Sequence, residues 1–167
     1  MNAQSLIIVE SPSKAKTISK YLDGEYEVLA CVGHVKDLPK KALNIDIEND
    51  FKVTLEVLPD RKQFINELKS KAKKASKVIL AMDPDREGEA IADHLSQEIS
   101  KSSIERIQFS EITKSAITEA LNNPRILDSN LISAQMTRRI IDRLVGYLIS
   151  PVLWGTLQKN MNFVEVS

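Results

Sequence analysis

One cysteine, five glycines, few aromatic residues and no surplus of either charge exclude several classes of protein before any motif is read. With Cys31 alone, neither an internal disulfide nor a multi-cysteine zinc site can form, which fits a reducing, cytoplasmic setting. The apolar stretch Leu6-Ile7-Ile8-Val9 is closed by Glu10, too short for a signal peptide or a membrane span. Lysine plus arginine and aspartate plus glutamate each number 23, so net charge does not itself announce a nucleic-acid partner. No internal repeat or low-complexity segment is present. A soluble, cytosolic protein is expected, and 167 residues suffice for one domain with a real core and a small appendage.

What the chain does have is charge placed unevenly. Glu10 closes the first apolar run, and Asp83-Pro84-Asp85-Arg86-Glu87 follows a second, Val78-Ile79-Leu80-Ala81-Met82. Unbroken runs of this length are what strands covered on both faces look like, and such strands belong to parallel sheets wrapped by helices. In open sheets of that class, ligands bind beyond the carboxyl ends of the strands. If the two strands are neighbours, four carboxylates converge there. Their repulsion must be offset by a cation, by protons, or by arginine and lysine. A hard divalent metal with oxygen ligands is the favoured solution.

The order of elements supports that sheet. Ser11-Pro12 is an N-cap with proline in the first turn, and Ala15, Ile18 and Leu22 follow at helical spacing before Gly24. Tyr26 to Val32 reads as a second strand. Gly33 to Leu58 reads as an inserted loop with short strands, including the alternating Phe51 to Val57. Phe64, Ile65, Leu68, Ala72 and Ala75 mark a helix leading into a strand over residues 77–82. Gly88 to Ser100 is helical, Arg106 to Phe109 a short strand, and Thr113 to Leu121 a helix ended by Asn123-Pro124. Alternating strands and helices predict an α/β fold with a mainly parallel sheet. From Asp128 to Leu148 one long helix is expected. Gln135, Arg138, Arg139, Asp142, Arg143 and Gly146 form a polar stripe about 140° wide, with Ile140, Ile141, Leu144, Val145 and Leu148 packed on the other side. Ser150-Pro151 breaks this helix, and Val152-Leu153-Trp154 begins a short continuation.

Blander readings compete at each candidate. A calcium loop needs glutamate at its twelfth position, where this chain has His94, and a phosphatase nucleophile motif would put threonine or valine where Glu87 stands. A solvated helix N-terminus explains Glu87 and Glu89, because acids favour the positive end of the helix dipole. It gives no reason for Asp83 and Asp85 at the end of a buried strand. Glu10 is either a helix-capping carboxylate or a catalytic acid. Lys14, on the first turn of helix one, is either a surface lysine or a phosphate contact. The Arg138, Arg139, Asp142 and Arg143 face suits either phosphate diesters or surface ion pairing. His34 either contacts a substrate or caps a loop.

Five blocks taken together resemble the amino-terminal part of bacterial DNA topoisomerase I, the type IA family. They are Ile8 to Lys16, Val32 to Pro39, Asp83 to Ile91, Phe109 to Thr113 and Arg138 to Leu153, in that order. The resemblance covers nearly the whole chain up to Trp154 and implies a Toprim domain, a Rossmann-like sheet of four parallel strands, over residues 1–125. The start of a helical DNA-contacting domain would follow over 126–159, then a divergent tail over 160–167.

By that resemblance Glu10 assists proton transfer at the leaving 3′ hydroxyl and joins Asp83, Asp85 and Glu87 in holding Mg2+, Lys14 touches the scissile phosphate, and Arg138 takes part in catalysis. His34, Lys36, Arg86, Arg138, Arg139, Asp142 and Arg143 would contact DNA. The implied activity is ATP-independent cleavage, passage and resealing of one strand, with single-stranded or negatively supercoiled DNA as partner and no nucleotide cofactor or membrane. The setting would be cytoplasmic, at the nucleoid. Past Trp154 the chain departs from the family pattern, so the tyrosine nucleophile's domain is expected to be missing and the chain inactive alone. Tyr21, Tyr26 and Tyr147 match other parts of the pattern. A stand-alone Toprim binding module and a small Mg2+-dependent nuclease are the competing readings.

Overall fold

The computed structural model describes residues 4–40, 42–99, 103–150 and 152. Its strands are β1 (Ser5–Val9), β2 (Tyr26–Ala30), β3 (Lys36–Asp37), β4 (Ile45–Asp46), β5 (Lys52–Val53), β6 (Glu56–Val57), β7 (Val78–Leu80) and β8 (Ile104–Arg106). Its helices are α1 (Pro12–Tyr21), α2 (Lys62–Lys74), α3 (Arg86–Glu98), α4 (Lys114–Asn122) and α5 (Ser129–Leu144), the last running into a π turn over Val145–Ile149. No helix among the described residues is long and apolar enough to cross a membrane. The chain divides into two compact units, Met1–Asp37 with Val57–Gln135, and Leu38–Glu56 with Met136–Ser167.

The larger unit is built on a four-stranded sheet in the order β2-β1-β7-β8. Every pairing is parallel, with Ile7 opposite Val28 on one side and Ile79 on the other, and Leu80 opposite Arg106. Alternate side chains of a strand point to opposite faces, so an unbroken apolar strand needs cover on both. Leu6 and Ile8 enter one core with Leu68, Ala72, Ile91 and Leu95 of α2 and α3. Ile7 and Val9 enter another with Ile18, Ile117 and Ala120 of α1 and α4. Full burial of each such side chain is worth about 1.5–3 kcal/mol, which is what holds β1 at the centre of the sheet.

Element ends follow local chemistry. Ser11 Oγ accepts from the Lys14 amide at 3.3 Å, with Pro12 starting α1. Asp85 accepts from the Gly88 amide at 2.7 Å, so α3 begins at Arg86, two residues before the expected Gly88. Thr113 caps α4, and Asp128 accepts from the amides of Asn130 and Leu131 at the start of α5. The second strand stops at Ala30 instead of Val32, because Val32 (φ 55°) and Gly33 (φ 87°) turn into the left-handed region. The strand expected over 77–82 is shorter, Val78–Leu80, and β8 lies two residues earlier than expected, where its ladder with β7 runs. The alternating Phe51 to Val57 stretch holds only the two-residue β5 and β6.

In the smaller unit, β4 and β5 form an antiparallel hairpin with Ile45 opposite Val53. The expected packed face of the long helix is only partly covered among the described residues, where Ile140 and Leu144 are half-buried. Ile141, Val145 and Leu148 are all about half exposed, and α5 has no buried residue. Trp154 and the tail over 160–167 lie outside the described residues.

Candidate functional site

The strand order makes β1 and β7 neighbours, so the residues that follow them share one edge. The Glu10 carboxylate turns across it, and its Oε1 accepts from the backbone N–H of Asp83. Lys14, one helical turn after Glu10, lies between the two acids. Its Nζ is 2.7 Å from Glu10 Oε2 and 2.5 Å from Asp83 Oδ1. Burial pulls the ammonium's pKa down, but the hydrogen bonds to Asp83 and Glu10, together with their charges, more than offset this and leave it above the ordinary lysine value. The proton therefore stays on Lys14 at neutral pH.

Of the four carboxylates expected to converge, Glu10 and Asp83 are thus brought together through a lysine. Asp85 caps α3 through Oδ1, and Glu87 stands exposed on that helix's first turn beside the exposed Arg86. Among the described residues, no group of three or more histidine, cysteine, aspartate or glutamate side chains is placed to hold a metal ion. The donor chemistry nonetheless fits a hard cation. All four candidates offer carboxylate oxygens, and two of them already cradle a positive charge.

His34 and Lys36 follow the left-handed turn after β2. The Val32 amide donates to the Glu10 carbonyl at 2.9 Å, tying that turn to the end of β1. Lys36 Nζ pairs with Glu98 at 2.7 Å and donates to Gln97 at 3.1 Å. The His34 ring lies 6.5 Å, centroid to centroid, from that of His94. Burial lowers the His94 pKa to about 4, and its Nδ1 is buried without a hydrogen-bond partner.

In the smaller unit Arg138 and Arg139 are exposed, and Arg138 makes only a long 3.7 Å pair with Asp142. Arg143 differs from both. Its guanidinium donates to the carbonyls of Pro39 at 2.8 Å, Ala42 at 3.1 Å and Leu38 at 3.2 Å, fastening α5 to the chain before the β4–β5 hairpin. Arg139, Asp142, Arg143, Gly146 and Tyr147 line an open depression on this helix.

Two residues that the sequence did not mark as a site lie beneath the acidic edge. Arg106, 2% exposed, and Glu89, 1% exposed, form an ion pair at 2.7 Å. The guanidinium also donates to the carbonyls of Leu80 (3.2 Å), Met82 (2.9 Å), Ile107 and Asp83 (3.0 Å). Glu89 accepts in addition from Gln108 at 2.9 Å and from the Asp128 amide at 3.0 Å. Glu89, assigned from sequence to a solvated helix start, is therefore a buried ion-pair partner. The available signal was Arg106 itself, a lone cation between Ile104 and Ile107 at the end of a strand, which requires an acid on a facing helix.

A parallel sheet in this order, with a glutamate after its central strand and an Asp-x-Asp turn after the adjacent one, defines the Toprim fold. The family model for the Toprim domain matches residues 5–112, and the chain belongs to that family. The chain is also similar to the structure of full-length topoisomerase I from Thermotoga maritima, with 47% sequence identity and a TM-score of 0.83. That match covers 89% of this chain and 26% of the other, so this chain spans about a quarter of the length of the topoisomerase.

Proposed function

We propose that this chain is the metal- and DNA-binding amino-terminal part of a type IA DNA topoisomerase. The observation that carries the reading is the meeting of Glu10 and Asp83, from segments 73 residues apart, at the carboxyl edge of a Toprim sheet. In this reading Glu10, Asp83, Asp85 and Glu87 would hold Mg2+, which would supply positive charge to offset that of the reacting phosphate. Glu10 accepts or returns the proton of that hydroxyl, and Lys14 donates to a non-bridging oxygen of the scissile phosphate. Arg138 and Arg139, whose guanidinium forks suit phosphate diesters, hold the strand, with His34 and Arg86 as further DNA contacts. Because phosphodiester exchange is nearly isoenergetic, placement and a timely proton suffice and no ATP is needed.

The tyrosine nucleophile is assigned to protein outside the described residues. Tyr26 opens β2, at the opposite end of that strand from the acidic edge, and Tyr21 closes α1. Lys36 and Arg143 contribute to the DNA site mainly by structure, since one holds Glu98 and the other three carbonyls.

Incubated with negatively supercoiled DNA and Mg2+, the chain should leave the topoisomers unchanged while binding single-stranded oligonucleotides. That binding should weaken in the double variant Arg138→Ala, Arg139→Ala. Relaxation by the pure chain would overturn the assignment of the nucleophile. Mg2+-dependent nicking abolished by Asp85→Ala would establish the nuclease reading in its place.

A further inference from the structure

We infer that Lys14 is a built-in competitor for the divalent cation, so that DNA phosphate and metal bind this edge cooperatively through the movement of one ammonium group. The inference rests on the reading of Glu10 and Asp83 as Mg2+ ligands.

Lys14 Nζ already engages both of the carboxylates that this reading gives to the metal. Glu10 Oε1 accepts from the Asp83 backbone N–H, and Oε2 is the atom that Lys14 Nζ approaches to 2.7 Å. The same Nζ is 2.5 Å from Asp83 Oδ1. A Mg2+ ion drawing on Glu10 and Asp83 would compete with the ammonium for the same carboxylate charge. Two positive centres on one pair of carboxylates repel each other, so metal entry favours the departure of Lys14.

Lys14 is suited to leaving. Its flexible stem is rooted on the first turn of α1, a fifth of its side chain is exposed, and Asp83 is half exposed, so the ammonium can rotate outward without opening the core. Once outside it needs a new anionic partner, and a DNA phosphate supplies one. A phosphate that draws Lys14 away lowers the cost of metal binding, and a bound metal frees Lys14 for the phosphate. Linkage makes the two effects equal. A lysine acting only on phosphate would leave metal affinity in the absence of DNA unchanged.

The test is titration calorimetry of the whole chain with Mg2+, in the wild type, Lys14→Met and Lys14→Gln, with circular dichroism to establish that each is folded. Both variants should bind Mg2+ about tenfold more tightly than the wild type in the absence of DNA. Adding a single-stranded oligonucleotide should raise wild-type Mg2+ affinity by a similar factor and leave the variants' affinity nearly unchanged. Equal or weaker Mg2+ binding by the folded variants, with the wild type binding normally, would overturn the inference and leave the metal reading standing. Absence of Mg2+ binding in all three proteins, with and without oligonucleotide, would overturn both.

Discussion

Two ionic centres stand at the same edge of the sheet and are built in opposite ways. Arg106 and Glu89 are sealed from water, and every direction of the guanidinium fork meets an oxygen. Lys14, Glu10 and Asp83 are partly exposed, Asp83 most of the three, and are joined by a single flexible ammonium. The dry centre grips the backbone carbonyls from Leu80 to Asp83, on which the wet centre is mounted. A buried pair whose partners are all satisfied is costly to break and therefore rigid, whereas a pair within reach of solvent contributes less and exchanges more readily. The contrast separates scaffold from chemistry within a few residues of sequence.

The sharpest way to break the comparison is Arg106→Met. It leaves the Glu89 carboxylate buried without its partner and should cost about 3–5 kcal/mol in urea unfolding. Lys14→Met should cost under about 1 kcal/mol in the same experiment. Similar losses at the two sites would contradict the division into scaffold and chemistry.

Second in size is a pH effect outside both centres. The unfolded chain protonates His94 near 6.5, whereas the folded chain refuses the proton until about 4. The unfolded state thus binds more protons between those values, so stability falls as pH drops from 6.5 towards 4, by roughly 3 kcal/mol at most. His94→Phe should flatten that part of the stability profile, and an unaltered slope would assign it to other groups.

Next comes Gly88→Ala. A Cβ at this position would collide with the Asp83 carbonyl oxygen, a backbone atom gripped by Arg106, and should destabilise the fold by about 1–3 kcal/mol. Because the acidic turn must shift to make room, Mg2+ affinity should fall as well. The smallest expected effect is Asp85→Asn, which keeps a good N-cap for α3 and should cost only a few tenths of a kcal/mol, whereas Asp85→Ala should cost about 1 kcal/mol. Both should weaken Mg2+ binding, which separates the cap from the ligand.

The parallel sheet was legible because β1 from Leu6 onward and β7 throughout are apolar, a pattern that double cover explains. Glu10 and Asp83 were legible for the same reason, since the ends of such strands are where a carboxylate is out of place. What the sequence could not show is which groups neutralise one another. Lys14 reads as a surface or phosphate-binding lysine until its reach to Asp83, 69 residues away, is known. Glu89 reads as a helix-start acid until Arg106 is placed beneath it. The apolar side of the long helix follows the periodicity of a packed element, yet periodicity reports a face and not its partner, and Ile141, Val145 and Leu148 on that face are about half exposed while Ile140 and Leu144 are partly buried.

The central claim is that the end of β1 and the turn after β7 form one divalent-cation site, and Mn2+ soaked into crystals of the chain, located by its anomalous scattering, tests it most directly. An ion within about 2.1–2.3 Å of carboxylate oxygens of Glu10 and of Asp83 or Asp85, with Lys14 turned away, is the expected result. Saturating Mn2+ that leaves Lys14 bridging Glu10 and Asp83, with no anomalous peak at this edge, would contradict it.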